Sequence, residues 1–202
     1  MVNTAPRQRA GWGTLTREQV VDAAARAVRA GEYDRLTIRG LAAALEVSPM
    51  ALYRHVRDKD DLVDEVVDRM LARRWRPRAD RGDWRAWMKE AAERLRTFLV
   101  SEPAALHVYL QHPVVSPSAI ARMSSMLDVL ERSGLDESDA RAAYAAIHTY
   151  TIGFAAVEAS RARTATKDSV RSEIEQQLQG FTTPEQFSRG LDYLLEGIDR
   201  RR

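Results

Sequence analysis

Apolar residues in this chain recur at the three- and four-residue spacings of a helix face, between a capping side chain and a glycine or proline, and nowhere alternate as a strand requires. Helices are the regular element this pattern supports, and an all-α architecture follows. Thr16 and Gln19 form a capping box before the face Val21, Ala24 and Val28, with Gly31 as a left-handed cap. Leu36 and Leu41 flank Thr37 as a staple around an N-cap, so a short second helix runs from Ile38 to about Ala44. Ser48 caps a third helix of about two turns, with Pro49 at the first position, where a missing N–H costs nothing. Asp58 opens a fourth that carries Leu62, Val66, Met70 and Leu71 and stops before Pro77.

The rest follows the same rules. Asp83 begins a helix with Trp84, Trp87, Met88, Ala91, Leu95 and Phe98 inward, stopped by Pro103, and a shorter piece runs to about Leu110. Ser116 and Pro117 start a helix through Met123, Met126 and Leu130 to Gly134, and Asp136 opens the longest one, to about Arg163. Residues 164–180 are polar and weakly amphipathic through Val170, Ile174 and Leu178. Thr183, Pro184 and Gln186 start a last helix with Phe187, Leu191, Leu194 and Ile198 in line. The count comes to about nine or ten helices.

Three regions emerge. Residues 1–15, with Pro6, Gly11 and Gly13 beside Arg7 and Arg9, read as a mobile arm. Residues 16–62 form a small helical head, continued by a linking helix at about 59–74, and the loop from Pro77 to Gly82 separates it from a larger body, 75–202.

Composition narrows the classes. A chain of 202 residues that is 45% hydrophobic can bury a core. Without cysteine there are no disulfides, thiolate chemistry or Cys-based zinc sites, in keeping with a reducing cytoplasm. No stretch approaches the ~18 apolar residues of a membrane span, so no membrane role is expected. The 31 basic and 29 acidic side chains leave a net charge of +2, so any nucleic-acid surface must be local.

Two short helices joined by a turn near Glu46, after a longer helix and before another, have the plan of a helix-turn-helix. Leu52 and Val56 face inward at i and i+4, leaving Tyr53, Arg54 and His55 for the outer surface. Arg39 and Arg54 are the candidates for reading bases, since arginine can address guanine bidentately. Met50 and Ala51 either meet a thymine methyl or pack on the first helix.

The run Leu36-Thr37-Ile38-Arg39-Gly40-Leu41-Ala42, then Val47-Ser48-Pro49-Met50-Ala51-Leu52-Tyr53-Arg54-His55-Val56, then Asp58-Lys59-Asp60-Asp61-Leu62 resembles the signature of the tetracycline-repressor family of transcriptional regulators. The resemblance implies that Thr37 and Arg39 meet phosphate and a groove edge and that Ser48, Pro49, Met50 and Ala51 approach bases. It further implies that Tyr53 and His55 hold the DNA backbone and that Lys59 grips a phosphate. Glu46 departs from the pattern, because that turn often carries glycine and a left-handed residue there costs about 1 kcal/mol. Gly153-Phe154 with Glu158, and the run from Phe187 to Ile198, also resemble the family's C-terminal domains, in which the last two long helices form a four-helix dimer bundle.

The body should therefore hold two surfaces. Tyr144, Ile147, Thr151 and Phe154, with Phe187, Leu191, Leu194 and Ile198, are expected at a homodimer interface, against the alternative of an intramolecular core. Trp84, Trp87, Met88, Phe98, Tyr109, Met123, Met126, His148 and Tyr150 are candidates to line a pocket for a small-molecule effector, though most would equally serve as core. His107 and His112 lack a zinc-binding spacing and His148 stands alone on its helix, so no metal is expected. With no cofactor, nucleophile elbow, phosphate loop or zinc-protease motif, an enzyme is not expected. The expectation is a cytoplasmic, ligand-responsive repressor that binds palindromic double-stranded operator DNA as a homodimer. The alternatives are a DNA-binding activator and an all-helical carrier or enzyme.

Overall fold

A computed structural model describes residues 15–72, 82–111, 115–165 and 180–201. Among them the helices are α1 Arg17–Arg29, α2 Ile38–Ala44, α3 Pro49–Tyr53, α4 Lys59–Ala72, α5 Trp84–Ser101, α6 Pro103–Gln111, α7 Pro117–Arg132, α8 Glu137–Ala165 and α9 Pro184–Asp199. No strand occurs among the described residues. The chain divides into two compact units between Val66 and Val67, within α4. The arm to residue 14, the loop from Pro77 to residue 81 and the segment 166–179 lie outside the described residues.

In the first unit the capping chemistry is in place. Thr16 accepts from the Gln19 N–H while Gln19 accepts from the Thr16 N–H at 2.8 Å, and Thr37 and Ser48 cap α2 and α3. Val20, Val21, Ala24 and Val28 of α1, which packs on α2, are buried, as are Leu41, Ala42, Leu52, Val56 and Leu62. Complete burial of Leu52 alone is worth about 2 kcal/mol. Gly31 adopts φ +79°, and Glu46 takes φ +56° in the turn between α2 and α3, the left-handed conformation that favours glycine.

The second unit is built around α8. Helix α5 packs along it, α7 and α9 also lie against it, and α6 joins α5 and α8. Met88, Leu99, Leu130, Ile147, Phe187 and Leu191 form the most deeply buried part of this core. An ion pair runs through it: Arg96 of α5 donates to both carboxylate oxygens of Glu158 on α8, at 2.8 and 2.6 Å. The guanidinium also lies 5.4 Å from the Phe187 ring and 5.9 Å from that of Phe154, so α5, α8 and α9 are joined at one point. No helix among the described residues is long and apolar enough to cross a membrane.

Candidate nucleic-acid interface and interior cavity

The helix-turn-helix is held from below. Leu52 and Val56 are buried, and His55 and Val56 both donate their N–H to the Leu52 carbonyl, at 2.8 and 3.0 Å. The return of Val56 to the core ends α3 after five residues, shorter than the two turns expected, so Arg54 is its C-cap and His55 follows in a turn. Thr37, Arg39, Ser48, Pro49, Tyr53 and Arg54 are exposed, while Ala51 and His55 are half-buried. Met50 is 69% exposed, so it does not pack on α1.

Arg17, not singled out from sequence, braces this surface. Its guanidinium donates to the His55 carbonyl, to Glu65 at 2.6 Å and to Asp61 at 3.4 Å. Burial alone would raise the Asp61 carboxyl. Hydrogen bonds from the Arg57 backbone and side chain, with the charges of Arg17 and Arg57, outweigh it and hold the group below its usual range. Lys59 stands 4.7 Å over the Tyr33 ring and donates to the Tyr33 carbonyl at 3.4 Å. Its ammonium is thus oriented at the start of α4.

The second unit holds a cavity of about 270 Å³, just under the usual range of small-molecule sites and bordered by the exposed Val115 and Ile120. Of the nine candidates, Tyr109, Met123, Met126 and His148 line it. Trp84, Trp87 and Met88 do not; they are buried as core. Phe98 borders a separate, shallow depression with Glu93 and Thr97. Tyr150 turns to α9, donating its hydroxyl to the Phe187 carbonyl at 3.1 Å and stacking on the Phe187 ring.

Three residues expected at the dimer interface, Tyr144, Ile147 and Thr151, instead line the cavity. Ile147, Thr151, Phe187 and Leu191 are each at most 1% exposed within a single chain, so they have no surface to offer a partner. The cause is rotational: the Tyr144–Ile147–Thr151 stripe faces inward, and the opposite face of α8, with Ala145, Thr149, Gly153 and Val157, is exposed. On α9 the buried line is Phe187, Leu191 and Leu195, which leaves Tyr193 exposed and Leu194 and Ile198 half-buried.

The imidazole of His148 stacks on Tyr144, with ring centres 5.3 Å apart, and Tyr109 tilts toward it at 6.3 Å. Burial lowers the His148 pKa below 6.5, so the ring is uncharged at neutral pH. Burial also raises Tyr144, and pushes Tyr109 up to about 12. Arg122 of α7, missed from sequence, is among the lining residues and pairs with Asp68 of α4 at 2.8 Å. The other Asp68 oxygen accepts the Ser118 hydroxyl. No group of three or more histidine, aspartate or glutamate side chains among the described residues could hold a metal.

Residues 20–66 match the family profile described as bacterial regulatory proteins, tetR family, and residues 76–202 match that of the tetracyclin repressor-like C-terminal domain. The chain is 33% identical over 144 residues to the HTH-type transcriptional repressor DrrR1 of Streptomyces coeruleorubidus, a match covering 70% of this chain and 53% of the relative. It is 33% identical over 125 residues to the class A tetracycline repressor from transposon 1721 in Escherichia coli, covering 59% and 56%. The matches thus span little more than half the length of these curated relatives. A crystal structure of a TetR variant from Acinetobacter baumannii AYE in complex with minocycline superposes with a TM-score of 0.72 at 25% identity, covering 94% of this chain and 99% of that one. With residues 20–66 and 76–202, well over half of its length, matched by the two profiles, this chain belongs to the TetR family of bacterial regulatory proteins.

Proposed function

We propose that the protein is a ligand-responsive transcriptional repressor that binds palindromic operator DNA as a homodimer and is released when a small molecule occupies the cavity of its second unit. The observation that carries this reading is the outward set Arg39, Met50, Tyr53 and Arg54 on a helix-turn-helix whose inner face is closed by Leu52 and Val56. In it, Arg39 and Arg54 read base edges, Ser48 to Ala51 approach the bases, and Thr37, Tyr53, His55 and Lys59 hold the phosphate backbone. The minocycline-bound neighbour supports an effector role for the cavity, and the regulatory family supports a regulator over a catalyst, acting in the cytoplasm.

A second copy of the chain seats on the exposed faces of α8 and α9, where Val157 and Tyr193 are 45% and 67% exposed, next to the half-buried Phe154, Leu194 and Ile198. The small residues Ala145, Thr149 and Gly153 let two helices approach closely there. Effector binding shifts α4 and moves the recognition helices away from successive major grooves. Effector and operator then oppose one another by the same factor in both directions.

Titration of labelled operator separates the assigned roles. Arg39→Ala should relax sequence preference at one position, whereas Tyr53→Phe and His55→Ala should weaken binding to all sequences alike. Unchanged operator affinity in all three variants refutes the interface.

A further inference from the structure

The cavity wall is apolar over most of its area, but one corner carries a charge. Arg122 lies there with its Nη2 on Asp68 Oδ1 at 2.8 Å, and the two side chains are only 14% and 16% exposed. The planar guanidinium fork can serve two acids or pass from one to another. The phenols of Tyr109 and Tyr144 stand near the same charge: Arg122 is the group that opposes the rise burial imposes on both. Away from this corner the walls are Leu95, Met123, Met126 and Ile147, with the uncharged His148 lying flat on Tyr144. A cation would find no available acid, because no acidic side chain lines the cavity among the described residues and Asp68, whose charge also reaches Tyr109, is held by Arg122. An anion would be costly to bury against the apolar walls unless it met a paired donor, which this corner supplies.

We propose that the cavity selects a planar, largely apolar ligand with one ionised oxygen group, a carboxylate or an ionised enol, seated on Arg122 and the Tyr109 and Tyr144 hydroxyls, with its ring system along Met123, Met126 and His148. This rests on the reading of the cavity as the effector site and adds the chemical class. The ligand's acid competes with Asp68 for the guanidinium. Asp68 keeps the Ser118 hydroxyl on its other oxygen, so it retains a donor when Arg122 turns away. The contact that recognises the ligand therefore reduces the α4–α7 tie from an ion pair to the Ser118 hydrogen bond alone, which gives the proposed release step a named bond.

The probes are 2-naphthoate and its uncharged counterpart 2-naphthalenemethanol, titrated calorimetrically into the full chain. The acid is expected to bind about tenfold or more tightly than the alcohol, the value of one charge-assisted hydrogen bond. Arg122→Met should remove that preference and leave the alcohol within about twofold, while Asp68→Asn, by removing the competitor, should tighten the acid alone. Equal affinities of the unaltered protein for the two probes, or binding of neither, overturn the assignment, as does an unchanged acid affinity in folded Arg122→Met. If circular dichroism finds that variant unfolded, Arg122→Lys, which keeps the charge and loses the fork, replaces it, and undiminished acid binding overturns the proposal. Operator affinity without probe is measured in parallel. Loss of operator binding refutes the regulatory reading, whereas a protein that binds operator and treats the two probes alike refutes only the ligand class.

Discussion

Replacing Arg96 by methionine keeps an unbranched apolar stem but removes the guanidinium and leaves Glu158 without its partner. Arg96 is 8% exposed, and both of its contacts to Glu158 are short. Removing one member of a buried pair costs about 3–5 kcal/mol, because the other charge stays behind uncompensated. The Glu158 side chain retains 17% exposure and can draw in water or a proton, which places the expected loss near the lower end, about 3 kcal/mol. The lost cation–π contacts to Phe187 and Phe154 are offset by sulfur–aromatic contacts from the new methionine, each about 1 kcal/mol. Glu158→Met should cost less, about 2 kcal/mol, because the two rings still cushion the arginine. The double variant should lie within about 2 kcal/mol of the original protein, well short of the additive loss of about 5. Urea unfolding followed by circular dichroism, at one protein concentration and neutral pH, measures all four corners of the cycle. A loss under about 1 kcal/mol for Arg96→Met, or additive losses in the double variant, would refute this account of the α5–α8 junction.

Three further outcomes follow from single residues. His148 binds its proton less readily in the folded than in the unfolded chain, so its contribution to stability is present above pH 6.5 and lost as pH falls below that value. Chemical denaturation at about pH 7.5 and pH 5 should show a smaller acid-induced loss for His148→Gln than for the original protein. A Cβ on Gly190 would stand 2.2 Å from the Tyr150 hydroxyl oxygen and 2.9 Å from its Cζ. Gly190→Ala should therefore cost about 1–3 kcal/mol, with most of the loss recovered by adding Tyr150→Leu, as thermal melts will register. At Glu46, φ +56°, glycine relieves about 1 kcal/mol of backbone strain against its own larger unfolded-state entropy, while valine only adds strain. Glu46→Gly should match or slightly exceed the original melting temperature, and Glu46→Val should fall clearly below it.

The helical head was legible because its determinants are local. Thr16, Thr37 and Ser48 each cap a helix within their own first turn, and Leu52 with Val56 marks the inner face. The body depends on contacts that spacing does not encode. Helix α8 is apolar on more than one side, so the Tyr144–Ile147–Thr151 stripe is equally consistent with a partner and with an interior until α5 is seen against it. Trp84, Trp87 and Met88 look like pocket walls by size alone, yet serve as core. Arg122 could not have been found, since its partner Asp68 lies 54 residues away and one arginine among many carries no local signal.

The proposed function requires that this chain recognise a particular DNA sequence as a two-fold dimer. Selection of bound DNA from a random double-stranded pool, with excess non-specific competitor, tests it most directly. A palindrome whose half-sites lie about one helical turn apart, or a small multiple of it, should be enriched, and Arg39→Ala or Arg54→Ala should abolish that enrichment. A pool that stays random after repeated rounds, or one that enriches a single non-palindromic half-site, would contradict it.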